Sequence, residues 1–131
     1  MRLKYRFFWI TAITGFVLDQ LTKFWVMQTF SLGETQPIIK GIFHFTYVQN
    51  TGAAFSLFSG KVEWLRWLSL LVSLALIALA LFSPVLSRWD QWGYGLILGG
   101  AMGNGIDRFL LSYVIDFLEF RFINFPVFNL A

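Results

Sequence analysis

An all-α polytopic membrane protein, a transmembrane helix bundle with a small extracytoplasmic β-rich cradle, is the fold class this sequence predicts. Three observations carry the prediction. The 131-residue chain is 57% hydrophobic and only 13% charged, far from the balance of a water-soluble domain. Its apolar residues collect in three stretches, each near the twenty or so residues that a helix needs to cross a bilayer. Between the first and second stretches lies a run of β-branched and aromatic residues with glycine and proline, which reads as folded chain outside the membrane. Nothing in length or composition marks a second domain, so residues 1–131 are expected to form a single membrane-embedded unit.

The first span is expected at about residues 7–27. Its charged lead, "MRLKYRFFWI", resembles a signal peptide, but no small-residue cleavage site follows, so the segment reads as retained. Asp19 and Lys23 lie four apart on one helical face and are able to pair. Each costs about 2.5–3.5 kcal/mol in hydrocarbon, so both should face protein or the interface. Residues 28–63 form the predicted extracytoplasmic segment, in which "FHFTYV" suits a strand. The second span, about 67–86, carries no charge in "LSLLVSLALIALALF"; Trp64 and Trp67 sit where an interfacial belt belongs, and Pro84 and Arg88 close it. The third span, about 93–111, has Gly95, Gly99 and Gly103 four apart, the spacing of close helix contacts rather than of a phosphate loop. The remainder is too short and too interrupted by Asp116, Glu119, Arg121 and Pro126 for a fourth full span.

Arg2, Lys4, Arg6 and Arg88 place the N-terminus and the second connection on the cytoplasmic side. Lys40, Lys61 and Arg66 fall on the outer side and weaken the bias. There are no cysteines, which removes disulfides, thiol nucleophiles and cysteine zinc sites, and the single histidine, His44, cannot build a histidine metal cluster. A net charge of +3 without a basic patch among exposed aromatics gives no reason to expect nucleic acid.

This topology brings three polar stretches toward one outer surface: "DQLTK", "QNTGAAF" and "GNGIDR" with "VIDF" behind it. Unsatisfied polar groups at membrane depth are costly, so such residues pair with one another or serve a substrate. Asp19 and Lys23 in "DQLTK", Asn50 and Gly52 in "NTGAAFS", Asn104, Asp107 and Arg108 in "GNGIDR", Asp116 in "VIDF" and Asn129 in "FNLA" occur in that order. In this the chain resembles the lipoprotein signal peptidase, or signal peptidase II, family of aspartic endopeptidases of bacterial inner membranes.

The resemblance implies Asp116 as one catalytic aspartate, with Asp19, Lys23, Asn50, Gly52, Asn104, Asp107, Arg108 and Asn129 positioning substrate or supporting the site. It implies no metal and no cofactor. The substrate would be a diacylglyceryl-modified prolipoprotein, cut before the modified cysteine, by a multi-pass enzyme that is monomeric at full length and acts on the extracytoplasmic side. One departure stands out: the family motif continues to a second catalytic aspartate after the position of Ala131, and to a fourth helix, neither of which is in this sequence. Hydrolysis by two carboxylates needs one protonated and one ionised, so the chain as written is expected to be inactive.

Other readings stand beside this one. Asp107 could partner Asp116, although nine residues of continuous helix would separate them by about 13 Å. Without the family, Arg108 reads equally as an arginine snorkelling to the interface, Asp19 with Lys23 as a structural pair, Asn50 as an ordinary loop residue and His44 as a strand residue. As whole-chain alternatives, the protein is a non-catalytic binding or assembly remnant of the same fold, or a small transporter subunit carrying protons on Asp19 and Asp107.

Overall fold

The computed structural model describes residues 4–52 and 61–131; Arg2 and residues 53–56 of the "NTGAAFS" stretch lie outside them. In chain order the elements are α1 (Arg6–Thr29), β1 (Thr35–Ile39), β2 (Phe43–Asn50), α2 (Val62–Phe82), α3 (Arg88–Leu110) and β3 (Val114–Phe120).

Local chemistry helps set the helix limits, and three of them differ from the expected spans. α2 begins at Val62, inside the segment expected to be extramembrane, and stops at Phe82 rather than 86. Ser83 takes the extended conformation (φ −66°, ψ 132°) that a residue before proline requires, and Pro84 prevents continuation. α3 begins at Arg88 rather than 93, because Ser87 and Asp90 form a reciprocal capping box. α1 has no side-chain cap of its own; the Lys4 ammonium and the Tyr5 hydroxyl instead donate to Ser83 O at 2.8 and 2.9 Å, tying its start to the end of α2.

α3 lies between the other two helices. Its residues 95, 99 and 103 advance along Phe8, Ala12 and Asp19, so α1 and α3 run parallel; Gly105 meets Ser69 while Leu98 packs with Ala80, so α2 runs antiparallel. The glycine stripe faces α1 at backbone contact: a Cβ on Gly99 would lie 2.7 Å from Ala12 O, and one on Gly103 would strike the Asp19 carboxylate. Small residues at these positions are what allow the approach. Away from that seam the helices show broad apolar faces, with Ile13, Leu21, Leu71, Leu74 and Leu96 exposed. Among the described residues, Val62–Phe82 is the helix long and apolar enough to cross a membrane by length and composition; α1 and α3 fall short of that mean hydropathy. Asp19 and Lys23 of α1 and Asp107 of α3 are paired inside the bundle.

The sheet is antiparallel in the order β1-β2-β3, so it is not confined to residues 28–63: its third strand comes from the chain after α3. The segment after α3, expected only to be too short and too interrupted for a fourth full span, supplies that strand. Phe45, Tyr47 and Phe117 pack with Val26 and Phe30 and seat the sheet on the end of α1. The opposite face carries Thr35, His44, Thr46, Glu119 and Arg121 in one hydrogen-bonded set. A bulge between Phe45 and Val48 puts Val48 opposite Asp116 and Asn50 opposite Val114. Beyond β3 the chain turns and returns alongside it, with Phe128 exchanging main-chain hydrogen bonds with Leu118 at 2.8 and 2.9 Å.

Replacing Gly99 by alanine should cost about 1–3 kcal/mol, because the new methyl meets backbone that cannot rotate away. Gly93→Ala, with nothing within 4 Å, should instead stabilise α3 by about 0.5–1 kcal/mol. Thermal unfolding in detergent separates the two; equal effects would mean that the α1–α3 seam is looser than described.

Candidate active site

The polar residues of α1 and α3 meet at the Lys23 ammonium. It lies 2.8 Å from Asp19 Oδ2 and 2.9 Å from Asp107 Oδ2, and donates to Asn104 Oδ1 at 2.9 Å. The side chain is 1% exposed and that of Asp19 fully enclosed, so the charges are removed from water and each of the three ammonium protons has an acceptor. Gln20, four residues before Phe24 on the same helix, adds a second layer: its amide donates to Asp19, to Gly103 O and to Asp107 Oδ1 at 3.2–3.3 Å. Asp107 also accepts the Ile115 main-chain N–H at 3.3 Å, which attaches β3 to the end of α3.

Asn104 passes the network outward. The oxygen that receives Lys23 also accepts Asn129 Nδ2 at 3.0 Å, and Asn129 Nδ2 lies 2.8 Å from Asp116 Oδ1. The other carboxylate oxygen, Asp116 Oδ2, accepts Asn50 Nδ2 at 3.0 Å. The two asparagines are oriented by the same device: each uses its Oδ1 to accept a main-chain N–H two residues on, Gly52 N at 2.8 Å for Asn50 and Ala131 N at 2.7 Å for Asn129. With the oxygens occupied, the amide nitrogens point at the carboxylate.

Asp116 is 4% exposed. Burial pushes its carboxyl up from 3.8 to about 6, against the hydrogen bonds from Asn50 and Asn129 and the positive charges of Lys23 and Arg108, which favour the ionised form. Its folded value exceeds its unfolded one, so this group's contribution to stability is intact below 3.8 and is lost as pH rises through about 6. A buried carboxyl that changes ionisation near pH 6 instead of near 3.8, in front of a cavity, is suited to work as an acid or base.

Asp116 lies at a cavity of about 300 Å³. Asn50, Gly52, Asn104, Arg108 and Asn129 line it together with an apolar wall of Phe120, Phe125, Pro126 and Phe128, and Ala131 reaches the same space. Arg108 donates to Ser69 Oγ at 2.7 Å through Nη1, while its buried Nε has no hydrogen-bond partner among the described residues. The Arg108 carbonyl is in turn capped by Arg66 Nη2 at 2.8 Å.

All nine residues singled out in the sequence therefore belong to one connected region, in two groups. Asn50, Gly52, Asn104, Arg108, Asp116 and Asn129 line the cavity, whereas Asp19, Lys23 and Asp107 stand behind it as its support. Both Asp107 oxygens are occupied by Lys23, Gln20 and the Ile115 N–H, on the α1 side of β3. Gln20, Ser69 and Arg66 join the region without being among the nine candidates that the sequence offers. Gln20 could have been found as the polar neighbour of Asp19, but nothing in the sequence of α2 marks Ser69 as a partner for Arg108.

Known proteins are similar to this chain in sequence and in fold. The family model for signal peptidase (SPase) II matches residues 11–131. The chain is 78% identical to a lipoprotein signal peptidase of Trichormus variabilis over 131 residues, covering all of this chain and 83% of that protein. It is 66% identical to a lipoprotein signal peptidase of Microcystis aeruginosa, over 98% of this chain and 83% of the other. A solved bacterial membrane enzyme superposes with a TM-score of 0.88 at 28% identity, over 99% of this chain and 82% of its own. A second solved bacterial membrane enzyme gives a TM-score of 0.84 over 99% of this chain and 86% of its own, also at 28% identity. Together with the ordered motifs and the site they build, these matches show that the chain belongs to the signal peptidase II family of lipoprotein signal peptidases.

Proposed function

We propose that this chain carries the Asp116 half of a two-aspartate endopeptidase that removes signal peptides from diacylglyceryl-modified prolipoproteins, cutting before the modified cysteine. The observation that carries the reading is a single buried carboxyl, held by two oriented amides, facing a cavity with a polar side and an aromatic wall. In this reading the three helices cross the inner membrane with the N-terminus cytoplasmic, and one membrane-embedded domain presents the cavity at the extracytoplasmic surface. The exposed apolar faces of α1, α2 and α3 support that placement.

Ionised Asp116 would take a proton from an attacking water, and a second, protonated carboxyl would polarise the scissile carbonyl and assist the leaving amine. The family pattern puts that second aspartate directly after Ala131. Ala131 lines the same cavity as Asp116, and the bond from its N–H to Asn129 ties its position to the asparagine that holds Asp116. Arg108 and the aromatic wall are suited to the carbonyls and the apolar side chains of an extended peptide. No step in this chemistry calls on a metal or a cofactor. The alternative, a binding or assembly protein of the same fold without catalysis, is favoured by one feature: Asp116 is the only carboxylate among the described residues lining the cavity.

Cleavage of a lipid-modified prolipoprotein in detergent tests the proposal. A chain ending at Ala131 should not cut, whereas one in which aspartate and the following helix continue should, and Asp116→Asn should lower its rate by about a hundred- to ten-thousandfold. Cutting by the chain that ends at Ala131 would overturn the pairing and make Asp107 the residue to test; no cutting by either form would favour the non-catalytic reading.

In the extended form the acid limb of kcat/KM should fall near the Asp116 value of about 6. Asn50→Ala removes a donor that favours the ionised carboxylate, so the limb should move to higher pH by about one unit, since such a bond is worth about 1.5 kcal/mol and one unit about 1.4 kcal/mol. A limb that stayed in place would show that another group is titrating.

A further inference from the structure

The end of the bundle opposite the cavity holds two cations that no described residue neutralises. The Arg6 and Arg88 guanidinium carbons stand 5.0 and 5.2 Å from the centroid of the same ring, Phe7. At most about 10 Å separates them, no more than about one Debye length at 0.1 M salt, so their repulsion is poorly screened. Neither guanidinium has a hydrogen bond or ion pair among the described residues, and residues 1–3 and 53–60 contain no aspartate or glutamate that could supply one. Asp90 is the one carboxylate at this end, and it accepts the Ser87 N–H at 3.3 Å in the α3 capping box. Lys4, at the same end, is spent on Ser83 O and Pro84 O at 2.8 and 3.4 Å.

We propose that Arg6 and Arg88, arranged around Phe7, bind the phosphate of an anionic lipid headgroup. Guanidinium forks match phosphate oxygens in paired hydrogen bonds, and one anion between the two arginines would relieve their repulsion. The surroundings favour a lipid over a free anion. Trp92 stands edge-on to Phe7 at 6.0 Å and to Trp89 at 5.2 Å, and Trp89 is 77% exposed, an aromatic pair of the kind found at headgroup level. Phe82 and Val85, 81% and 80% exposed, offer apolar surface to acyl chains beside the charges. Basic pockets between helix ends are a known way of holding anionic headgroups. Arg6 opens α1 and Arg88 opens α3, so the lipid clamps together the two helices whose other ends build the cavity. The inference uses the bilayer placement proposed above but none of the peptidase chemistry.

The test uses the purified full chain in neutral detergent, titrated with phosphatidylglycerol, phosphatidylcholine or inorganic phosphate, with bound lipid read by native mass spectrometry and helix clamping by the rise in Tm. Phosphatidylglycerol should bind and raise Tm where phosphatidylcholine and inorganic phosphate do not. Arg6→Gln and Arg88→Gln should each weaken that binding about tenfold or more. Lys61→Gln, which removes the same charge at the other end, should leave it unchanged. Equal binding of both lipids, undiminished binding in both arginine variants, or an equal loss in Lys61→Gln would overturn the proposal. Binding of inorganic phosphate as tight as that of phosphatidylglycerol would replace the lipid with a soluble anion.

Discussion

The buried Lys23 ammonium is the interaction on which the rest of the site depends. Three acceptors from two helices converge on it, Asp19 from its own turn and Asn104 and Asp107 from α3. An ammonium withdrawn from water is tolerable only when its protons are all accepted, and removal of one partner from such a set leaves a charge stranded. The constraint fixes how far α3 can slide along α1. It also explains why α3 presents glycine to Asp19: any side chain at 103 would displace the carboxylate that Lys23 needs.

Order spreads outward from that centre by hydrogen bonds rather than by apolar packing. Asn104 is oriented by Lys23, Asn129 by Asn104 and by the Ala131 N–H, and Asp116 by Asn129 and Asn50. Each amide has its oxygen committed before its nitrogen reaches the carboxylate, so the geometry around Asp116 is set in advance of any ligand. Burial opposes ionisation there while the amides and distant cations favour it, and the balance leaves the carboxyl near 6. Asp19 and Asp107, each bonded to the Lys23 ammonium, are suited to holding structure; Asp116, with neutral hydrogen-bond donors and a cavity before it, is suited to exchanging protons.

The two ends of the helix bundle solve opposite electrostatic problems. At the cavity end, two acids are enclosed around one lysine, with the sheet seated on α1 through Val26, Phe30, Tyr47, Ile115 and Phe117. At the other end, cations stand exposed on aromatic rings, with hardly an acid in reach. The parallel run of α1 and α3 joins the ends mechanically, because the glycine seam lets the two helices behave as one packed unit.

Much of this was legible in the sequence, for physical reasons. Long apolar stretches can only be buried or placed in lipid, so three helices followed from hydropathy and length. The i, i+4 spacing of Asp19 and Lys23, the four-residue glycine stripe and the Asn-Thr-Gly turn are local geometry, and local geometry is written in local sequence. The ordered motifs identified the family. The tertiary structure decided the rest. α2 ends early at Pro84 and α3 starts early at the Ser87 cap, because termini are settled by a few hydrogen bonds that hydropathy averages away. β3 escaped notice because a lone strand has no meaning until β2 supplies its hydrogen-bonding edge. Which polar residue faces the cavity and which supports it, Asp116 or Asp107, Arg108 or Lys23, could not be read from spacing. It depends on three helices and a sheet meeting in space, where contacts between residues some 80 positions apart, such as Lys23 and Asn104, are made only by the finished fold.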